Sequence, residues 1–263
     1  MKMINELYQY RELLKTSVKK EIRGKYKGSV LGILWSFINP LLMVLVYALV
    51  FPYIMGDRIS EDVPYLIFLV VAIIPWTFFT SVLSQGVSVI KNNAGIIKKV
   101  YFPREILPLS VALSGLVNFF ISCIITLLFC VSYGVGTSWH LVLLPVIAIL
   151  QFMISLGAIL LLCSINAYIQ DTEYIITFVI NMLFYGTPIL YDINVLSQAP
   201  AILQTMVRIN PMTHLINMYR DIFIYHVIPE GLSFIYVLVV GIIVLTIGML
   251  AFKKLEKGFA EEL

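Results

Sequence analysis

The sequence predicts an all-α integral membrane protein with an amphipathic interfacial helix at its N-terminus, six transmembrane helices and two outer re-entrant gate helices. Two observations carry this prediction. Hydrophobic residues make up 60% of the 263 residues and charged residues only 13%, whereas soluble domains contain about 25% charged residues. Several stretches also exceed the roughly 20 apolar residues that cross a bilayer. We therefore expect one transmembrane domain over residues 1–263, with little chain left for a soluble domain.

The predicted spans lie between residues 31 and 252. They cover approximately residues 31–55, 63–90, 106–132, 141–165, 174–191 and 232–252. Residues 106–170 contain no Asp, Glu, Lys or Arg, and as one helix they would be roughly 98 Å long. The stretch YGVGTSWH, residues 133–140, supplies glycines and polar residues for a turn, so this region is predicted to cross the membrane twice.

Basic residues are distributed unevenly over this topology. Residues 1–27 contain eight, residues 91–104 contain four and the tail 253–263 contains three, and all fifteen fall on one side. The opposite side carries only Arg58, Arg208 and Arg220. Because Lys and Arg accumulate in cytoplasmic loops, we expect both termini and the 91–104 loop, named the basic loop below, to face the cytoplasm.

An amphipathic helix is predicted over residues 5–27. Its apolar positions recur every three or four residues and gather on one face; they are Leu7, Tyr10, Leu14, Val18, Ile22 and Tyr26. Much of the remaining surface is basic, with Arg11, Lys15, Lys19 and Arg23. This pattern is typical of a basic helix that lies on the cytoplasmic membrane surface. The alternative is a solvated leader helix.

The predicted outer segment, residues 192–230, is too apolar for an ordinary loop. APAILQTMV and PMTHLINMYRDIFIYHVI, which begin at residues 199 and 211, both indicate helices opened by prolines. Non-helical backbone is tolerated at membrane depth only where protein covers it or a wet cavity adjoins it. We expect two short helices that dip back from the outer surface and cap whatever the bundle encloses.

Residue patterns for bond-making chemistry are absent from the sequence. His140, His214 and His226 are scattered rather than spaced as metal ligands. GKYKGS, residues 24–29, is not a phosphate-binding loop, because Lys19 stands where that motif needs glycine and no apolar strand precedes it. The predicted span interiors carry essentially no ionisable residue of the kind that marks an ion pathway. We therefore expect no metal, cofactor or nucleic acid on this chain, and an external source of energy.

Four motifs resemble those of a known family. They are KYKGSVLGILWSFINPL (25–41), NNAGIIKKVYFPREILPLS (92–110), TPILYD (187–192) and INPMTHLINMYRD (209–221). In this order they look like the membrane subunits of ABC transporters that export cell-envelope polysaccharides such as O-antigen, capsule and teichoic acid. The likeness extends over nearly the whole chain.

The resemblance implies an ATP-driven exporter in the inner or plasma membrane of a bacterium. Two copies of this chain would form a channel at their interface and pair with two copies of a separate ABC ATPase subunit, which holds ATP and Mg²⁺. The substrate would be a lipid-linked polysaccharide that moves outward from the cytoplasm across the lipid membrane. This chain would carry no cofactor and perform no bond-making chemistry.

The resemblance assigns the basic loop to docking on the ATPase. The residues that it implies on this surface are Asn93, Ile96, Ile97, Lys98, Lys99, Tyr101 and Phe102. Their chemistry agrees, because apolar and aromatic anchors with a basic rim fit a protein interface. The alternative is that the lysines only satisfy the topology and that Tyr101 and Phe102 belong to the aromatic belt at the membrane surface.

Two further groups are implied at the channel. Leu31, Gly32, Trp35 and Asn39 would border the cytoplasmic entrance or gate, although Gly32 can simply bend the chain and Trp35 anchor it at the interface. The aromatics of spans one and five would line the path, namely Tyr47, Phe51, Phe178, Phe184, Tyr185 and Tyr191. Flat aromatic faces suit sugar rings, but each of these residues taken alone is more typical of helix packing or of the aromatic belt.

Two other functions remain open at this point. One is the export of a smaller lipid or drug by the same kind of ABC permease. The other is a membrane-embedded transferase of envelope-glycan assembly, which would need carboxylates or histidines near an interface. The available residues are Asp171, Glu173, Asp192 and His214.

Overall fold

The computed structural model describes residues 8–24, 34–55, 64–193, 195 and 199–262. Across these residues all regular structure is helical, which confirms the predicted all-α class. The helices are α1 (Arg11–Gly24), α2 (Trp35–Met55), α3 (Tyr65–Gly86), α4 (Val89–Asn92), α5 (Ala94–Ile97), α6 (Ile106–Ser132), α7 (Leu144–Asn166), α8 (Thr172–Tyr185), α9 (Ala201–Ile209), α10 (Pro211–Arg220), α11 (Gly231–Leu255) and α12 (Phe259–Glu262). Short 3₁₀ turns occupy Trp139–Leu143 and Glu256–Gly258, and a π turn occupies Asp221–Tyr225.

Four helical stretches within the described residues are long and apolar enough to cross a membrane. They are Tyr65–Gly86, Ile106–Ser132, Trp139–Asn166 and Gly231–Gly258, and they coincide with the second, third, fourth and sixth predicted spans. The turn between Ile106–Ser132 and Trp139–Asn166 contains Gly134 and Gly136, whose φ angles are 80° and 79°. Only glycine adopts such angles readily, and the predicted reversal of the chain there is confirmed.

The first and fifth predicted spans are less complete. α2 covers 21 residues of the first span, whose beginning lies outside the described residues. α8 contains 14 residues and ends at Tyr185 rather than at Tyr191, so it measures roughly 21 Å against a hydrocarbon core of about 30 Å. The backbone turns at Gly186, directly after this helix. The six-span arrangement therefore stays a prediction.

α3 occupies the centre of the bundle. It packs against α2, α6, α7 and α10, and 78% of its most apolar stretch is buried, against 17% for α11. α11 packs along α7 and α10 and exposes its other face, which includes Ile235, Ile242 and Leu250. Since lipid tails are as apolar as these side chains, such a face suits contact with a bilayer.

The 192–230 segment contains the two helices that its prolines predict. Pro200 immediately precedes α9, and Pro211 is the first residue of α10, where the missing N–H would have no helical partner in any case. The Asn210 side chain accepts a hydrogen bond of 3.0 Å from the Met212 N–H and thereby caps α10. α10 is largely buried among α3, α7 and α11. The re-entrant position of both helices in a membrane stays a prediction.

α1 has the amphipathic character that the sequence predicts. It packs against α6, with Leu14, Val18 and Ile22 half-buried. Its basic residues are exposed, namely Arg11, Lys15, Lys19 and Arg23. α1, the basic loop and residues 253–262, named the C-terminal segment below, meet at one end of the bundle. We call this the terminal end and the opposite one the far end; contact of α1 with a membrane surface stays a prediction.

Candidate docking surface and channel-facing residues

The basic loop is a folded connection between α3 and α6 rather than an open coil. α4 and α5 follow α3 directly, and the Val100 N–H donates a hydrogen bond of 3.0 Å to the Ile96 carbonyl at the end of α5. Residues 100–103 then have no regular structure. Because a proline disfavours helix in the residue before it, Pro103 separates this loop from α6.

The predicted docking residues separate into two groups. One group is exposed and consists of Ile96, Lys98, Lys99 and Tyr101. The other is buried within the chain and consists of Asn93, Ile97 and Phe102. Tyr101 presents 92% of its surface, whereas Phe102, the next residue, presents 6%. The exposed group can contact a partner directly, while the buried group shapes the loop; the docking role itself stays a prediction.

Asn93 joins the basic loop to α1. Its Nδ2 donates a hydrogen bond of 2.8 Å to the Val89 carbonyl, and its Oδ1 accepts one of 3.2 Å from Nζ of Lys20. A buried amide left without such partners would cost about 1–3 kcal/mol. The loop therefore takes its position from α1 as well as from α3 and α6.

A cleft of about 400 Å³ opens beside Tyr101 at the terminal end. It is lined by Gln9 and Tyr10, by residues 101–105, and by Glu256 and Lys257. The sequence motifs marked the basic loop but missed the C-terminal segment. The sequence does contain an indication of this segment, because Phe259 is the one aromatic residue in the polar tail KKLEKGFAEEL. In the structure the Phe259 side chain is completely buried.

The predicted channel-entrance residues lie around the start of α2. Leu31 and Gly32 fall outside the described residues. Trp35 is the first residue of α2 and is 37% exposed. Asn39 follows one turn later in the same helix. Their place at a channel entrance stays a prediction.

Some of the predicted channel aromatics form a packed cluster between helices. Tyr47 of α2 and Trp76 of α3 both contact Phe184 of α8, with ring centroids 6.0 and 5.8 Å apart. Aromatic pairs at this separation stabilise helix contacts. Tyr47 and Phe184 therefore pack against other helices of the described chain, and their place along a channel stays a prediction. Phe51 lies one turn beyond Tyr47 in α2.

α8 carries an exposed face that is rich in aromatic residues. Tyr174, Phe178, Met182 and Tyr185 recur at helical spacing, and each is more than half exposed. Tyr191 lies beyond the end of this helix, and its hydroxyl donates a hydrogen bond of 3.0 Å to the Tyr185 carbonyl. In the described part of the chain nothing covers this face, so it can contact substrate, lipid or a second subunit.

The far end contains a buried cation that sequence reasoning placed in an outer loop. Arg220 is only 2% exposed. Its guanidinium lies 3.5 Å from the centroid of the Phe68 ring, and its Nη2 donates a hydrogen bond of 3.1 Å to the Ile189 carbonyl. Burial lowers the pKa of Arg220 to about 10, which leaves it charged at neutral pH. Sequence reasoning missed this burial because the stretch around Arg220 also contains polar residues, namely His214, Asn217 and Asp221.

A polar cleft of about 260 Å³ adjoins Arg220 at the far end. Its lining includes Asp192, His214, Asp221 and Glu230. Burial raises the pKa of the Asp221 carboxyl to about 6, while the Arg220 guanidinium acts in the opposite direction. Within the described residues, no group of three or more His, Cys, Asp or Glu is placed to hold a metal ion.

The four residues available for a transferase site are divided between the two ends of the bundle. Asp192 and His214 line the polar cleft at the far end, whereas Asp171 and Glu173 lie near the terminal end. Nδ1 of His214 is 3.0 Å from the hydroxyl oxygen of Ser233, near the start of α11. Asp171 and Glu173 lie at the start of α8, a few residues after Tyr168, which contacts Leu255 at the end of α11. These carboxylates and His214 therefore do not form one catalytic site.

Comparison with known proteins gives matches along most of the chain. The family model described as ABC-2 type transporter matches residues 12–224. The chain is 33% identical over 263 residues, 100% of both chains, to a Myxococcus xanthus protein named O-antigen export system permease protein RfbA. A Klebsiella pneumoniae protein of the same name is 32% identical over 252 residues, 95% of this chain and 94% of the relative. The Escherichia coli polysialic acid transport protein KpsM is 22% identical over 242 residues, 91% of this chain and 92% of the relative.

Proposed function

Because the chain belongs to the ABC-2 type transporter family of membrane proteins, we propose that it is the transmembrane subunit of an ATP-driven exporter of a lipid-linked cell-envelope polysaccharide. The observation that carries this proposal is the 33% identity over the full length of both chains with an O-antigen export system permease. The family predicted from the four sequence motifs is thereby confirmed. The four helices that are long and apolar enough to cross a membrane fit the same function, because a permease subunit crosses the membrane several times.

The energy for export would come from a separate ATPase subunit, which docks on the basic loop. Tyr101 projects from the loop as an aromatic anchor, and Lys98 and Lys99 lie beside it as an exposed basic rim. An aromatic centre with a polar rim is the usual composition of a protein interface. Two ATPase subunits, which hold ATP and Mg²⁺, would serve two copies of this chain.

The translocation path would lie between two copies of this chain. The exposed face of α8 supports this arrangement, because Tyr174, Phe178 and Tyr185 offer flat apolar surface on a side of the helix that the described chain leaves uncovered. Aromatic faces stack on sugar rings without holding any one hydroxyl tightly, which allows a polymer to slide. Trp35 and Asn39, at the start of α2, would border the entrance to this path.

The terminal end would face the cytoplasm of a bacterial cell. It gathers α1, the basic loop and the C-terminal segment. Residues 1–27, 91–104 and 253–263, which include these three parts, contain fifteen of the eighteen basic residues. Cytoplasmic loops carry this excess of Lys and Arg. α1 would lie along the cytoplasmic membrane surface, where each basic residue contributes about 1 kcal/mol of attraction to anionic lipid.

Deleting the gene and measuring the fate of the envelope polysaccharide tests this function. We expect the polymer to disappear from the cell surface and to accumulate on the cytoplasmic face, and a plasmid copy of the wild-type chain to restore export. Normal surface polysaccharide in the deletion strain, with loss of a smaller lipid or of drug resistance, would instead assign the chain to export of a small substrate. Turnover of a glycan donor by the purified chain without an ATPase would make it a transferase.

A further inference from the structure

The C-terminal segment folds back against the basic loop instead of extending from the bundle. Phe259, at the start of α12, has no exposed surface. Its ring meets that of Phe252 edge-on, with centroids 5.5 Å apart, and that of Tyr168 at 6.2 Å. α12 packs against α5 of the basic loop. These contacts hold the segment against the bundle.

Arg104, the last residue of the basic loop, is the central contact of this arrangement. Its guanidinium lies 5.9 Å from the centroid of the Phe259 ring, within the range of a cation–π interaction. Its Nη1 also donates a hydrogen bond to the carbonyl of Glu256. One side chain therefore joins the loop both to the buried aromatic residue of the C-terminal segment and to the backbone that follows α11.

A second hydrogen bond joins the C-terminal segment to the connection between α7 and α8. The hydroxyl of Tyr168 donates to the carbonyl of Leu255 at 2.7 Å. The last carbonyls of a helix have no partner within the helix, so donors from elsewhere usually satisfy them. Here the carbonyls of Leu255 and Glu256 receive these donors from the α7–α8 connection and from the basic loop.

We propose that the C-terminal segment is a brace, with Arg104 and Phe259 as positioning residues that fix the basic loop relative to α11. This inference rests on the proposed function, because the brace transmits movement only if an ATPase docks on the basic loop and displaces it. Arg104 lies three residues after Tyr101, and the residues between them have no regular structure. Without the brace, a force on Tyr101 would have no direct contact through which to reach α11. With the brace, the same force moves the end of α11.

α11 can carry such a displacement into the membrane. Along its length it packs closely on α7, where a Cβ on Gly157 would come within 2.6 Å of the Leu245 Cα and of the Val244 carbonyl carbon. A contact this close leaves little room for the helices to slide independently. A movement of the loop would therefore reach α7 and α11 together, and the brace would couple ATP hydrolysis to the transmembrane helices.

The first test measures the brace in the purified chain without any ATPase. Hydrogen exchange is followed at the amides of Lys98, Lys99 and Val100, which are hydrogen-bonded within the loop. Arg104→Ala and Phe259→Ala should each speed exchange there by about tenfold, because losing the brace makes local opening easier. Glu262→Ala, an exposed position of the same segment, is the matched control and should change nothing. Unchanged exchange in both brace variants would overturn the proposal, whatever the function of the chain.

The second test uses the complex with the ATPase that co-purifies with the wild-type chain. Arg104→Ala and Phe259→Ala should retain ATPase binding and the KM for ATP, yet lose about tenfold in substrate-stimulated kcat and in export per inserted copy. Arg104→Lys keeps a cationic donor for the Glu256 carbonyl and should therefore restore most of the substrate-stimulated kcat and most of the export per inserted copy. Normal export per copy at a reduced membrane level would show that the two residues only stabilise the fold.

The remaining outcomes separate this proposal from the proposed function. If ATPase binding falls in proportion to export in Arg104→Ala, Arg104 belongs to the docking surface itself and the positioning role is wrong. If no ATPase co-purifies with the wild-type chain, the proposed function fails. In that case faster exchange in the first test would still establish the brace as a structural element, and the coupling role would be rejected.

Discussion

The hydroxyl of Tyr219 donates a hydrogen bond of 2.8 Å to Oε1 of Gln151, and both side chains are completely buried. Nε2 of Gln151 in turn donates one of 2.7 Å to the carbonyl of Pro75. These two bonds join α10, α7 and α3 in sequence. Each polar group in this pair of hydrogen bonds has a partner. Buried networks that are fully satisfied in this way rigidify the elements that they connect. The network therefore fixes α10 against the centre of the bundle.

We expect Tyr219→Phe to destabilise the protein in detergent by about 1 kcal/mol, because it leaves Oε1 of Gln151 buried without a donor. Thermal unfolding of the purified chain measures this loss. The matched control is Tyr174→Phe, at an exposed position of α8, which should have no effect. In a Gln151→Leu background Tyr219→Phe should cost less. Equal costs in both backgrounds would show that the two residues are not coupled.

Gly157 and Gly248 mark a close approach of α7 and α11. A methyl group on Gly248 would collide with the carbonyl oxygen of Gly157, and backbone cannot move aside as a side chain can. We expect Gly248→Ala to lower stability by about 1–3 kcal/mol through overpacking. Gly231→Ala, at the start of the same helix, would meet nothing within 4 Å and is the control. Equal melting temperatures for the two variants would contradict the close packing.

The orientation of the chain is tested by labelling single cysteines in intact cells with an impermeant reagent. Cysteines that replace Trp139 or Glu230 at the far end should react from outside, and one that replaces Lys98 at the terminal end should not. Trp139, Glu230 and Lys98 are all exposed, so accessibility to the reagent is decided by the membrane. The native cysteines Cys123, Cys130 and Cys163 are buried and give little background. External labelling at residue 98 would refute the cytoplasmic placement of both termini.

Hydropathy predicted which stretches are helical but not how deeply each is buried. The most apolar stretches of α3 and α11 have similar mean hydropathies, 2.4 and 2.8. Yet 78% of the stretch in α3 is buried, against only 17% of the stretch in α11. A residue that faces lipid must be as apolar as one that faces another helix, so composition cannot separate them. Only the packed structure shows that α3 is central and that α11 is peripheral.

The same limit applies to the basic loop and to the C-terminal segment. The motif residues of the loop are contiguous in sequence, and nothing in their order shows that Ile97 is buried while Ile96 is exposed. Phe259 acquires its role from contacts with Arg104 and Tyr168, which lie far away in the chain. Side-chain contacts of this kind depend on tertiary packing, and periodicity within one segment carries no information about them.

Tyr101 and Phe102 provide the sharpest test of the docking surface, because the two neighbours have opposite environments. With Tyr101 92% exposed and Phe102 6% exposed, docking and packing can be separated by single substitutions. Tyr101→Ala should leave the membrane level unchanged and weaken ATPase binding about thirtyfold, since an interface anchor often contributes about 2 kcal/mol. Phe102→Ala should instead cost about 3–5 kcal/mol of stability, as expected for a buried phenylalanine.

Subunit co-purification and membrane level, measured in the same preparation, distinguish these effects. Lys98→Ala and Lys99→Ala, on the rim of the surface, should weaken ATPase binding less than Tyr101→Ala does, and mainly at low salt. Tyr133→Ala, at an exposed position of the far end, is the control and should bind the ATPase normally. If Tyr101 belongs only to an aromatic belt, Tyr101→Ala will insert poorly but bind the ATPase at wild-type affinity. That result would place the docking site outside the basic loop.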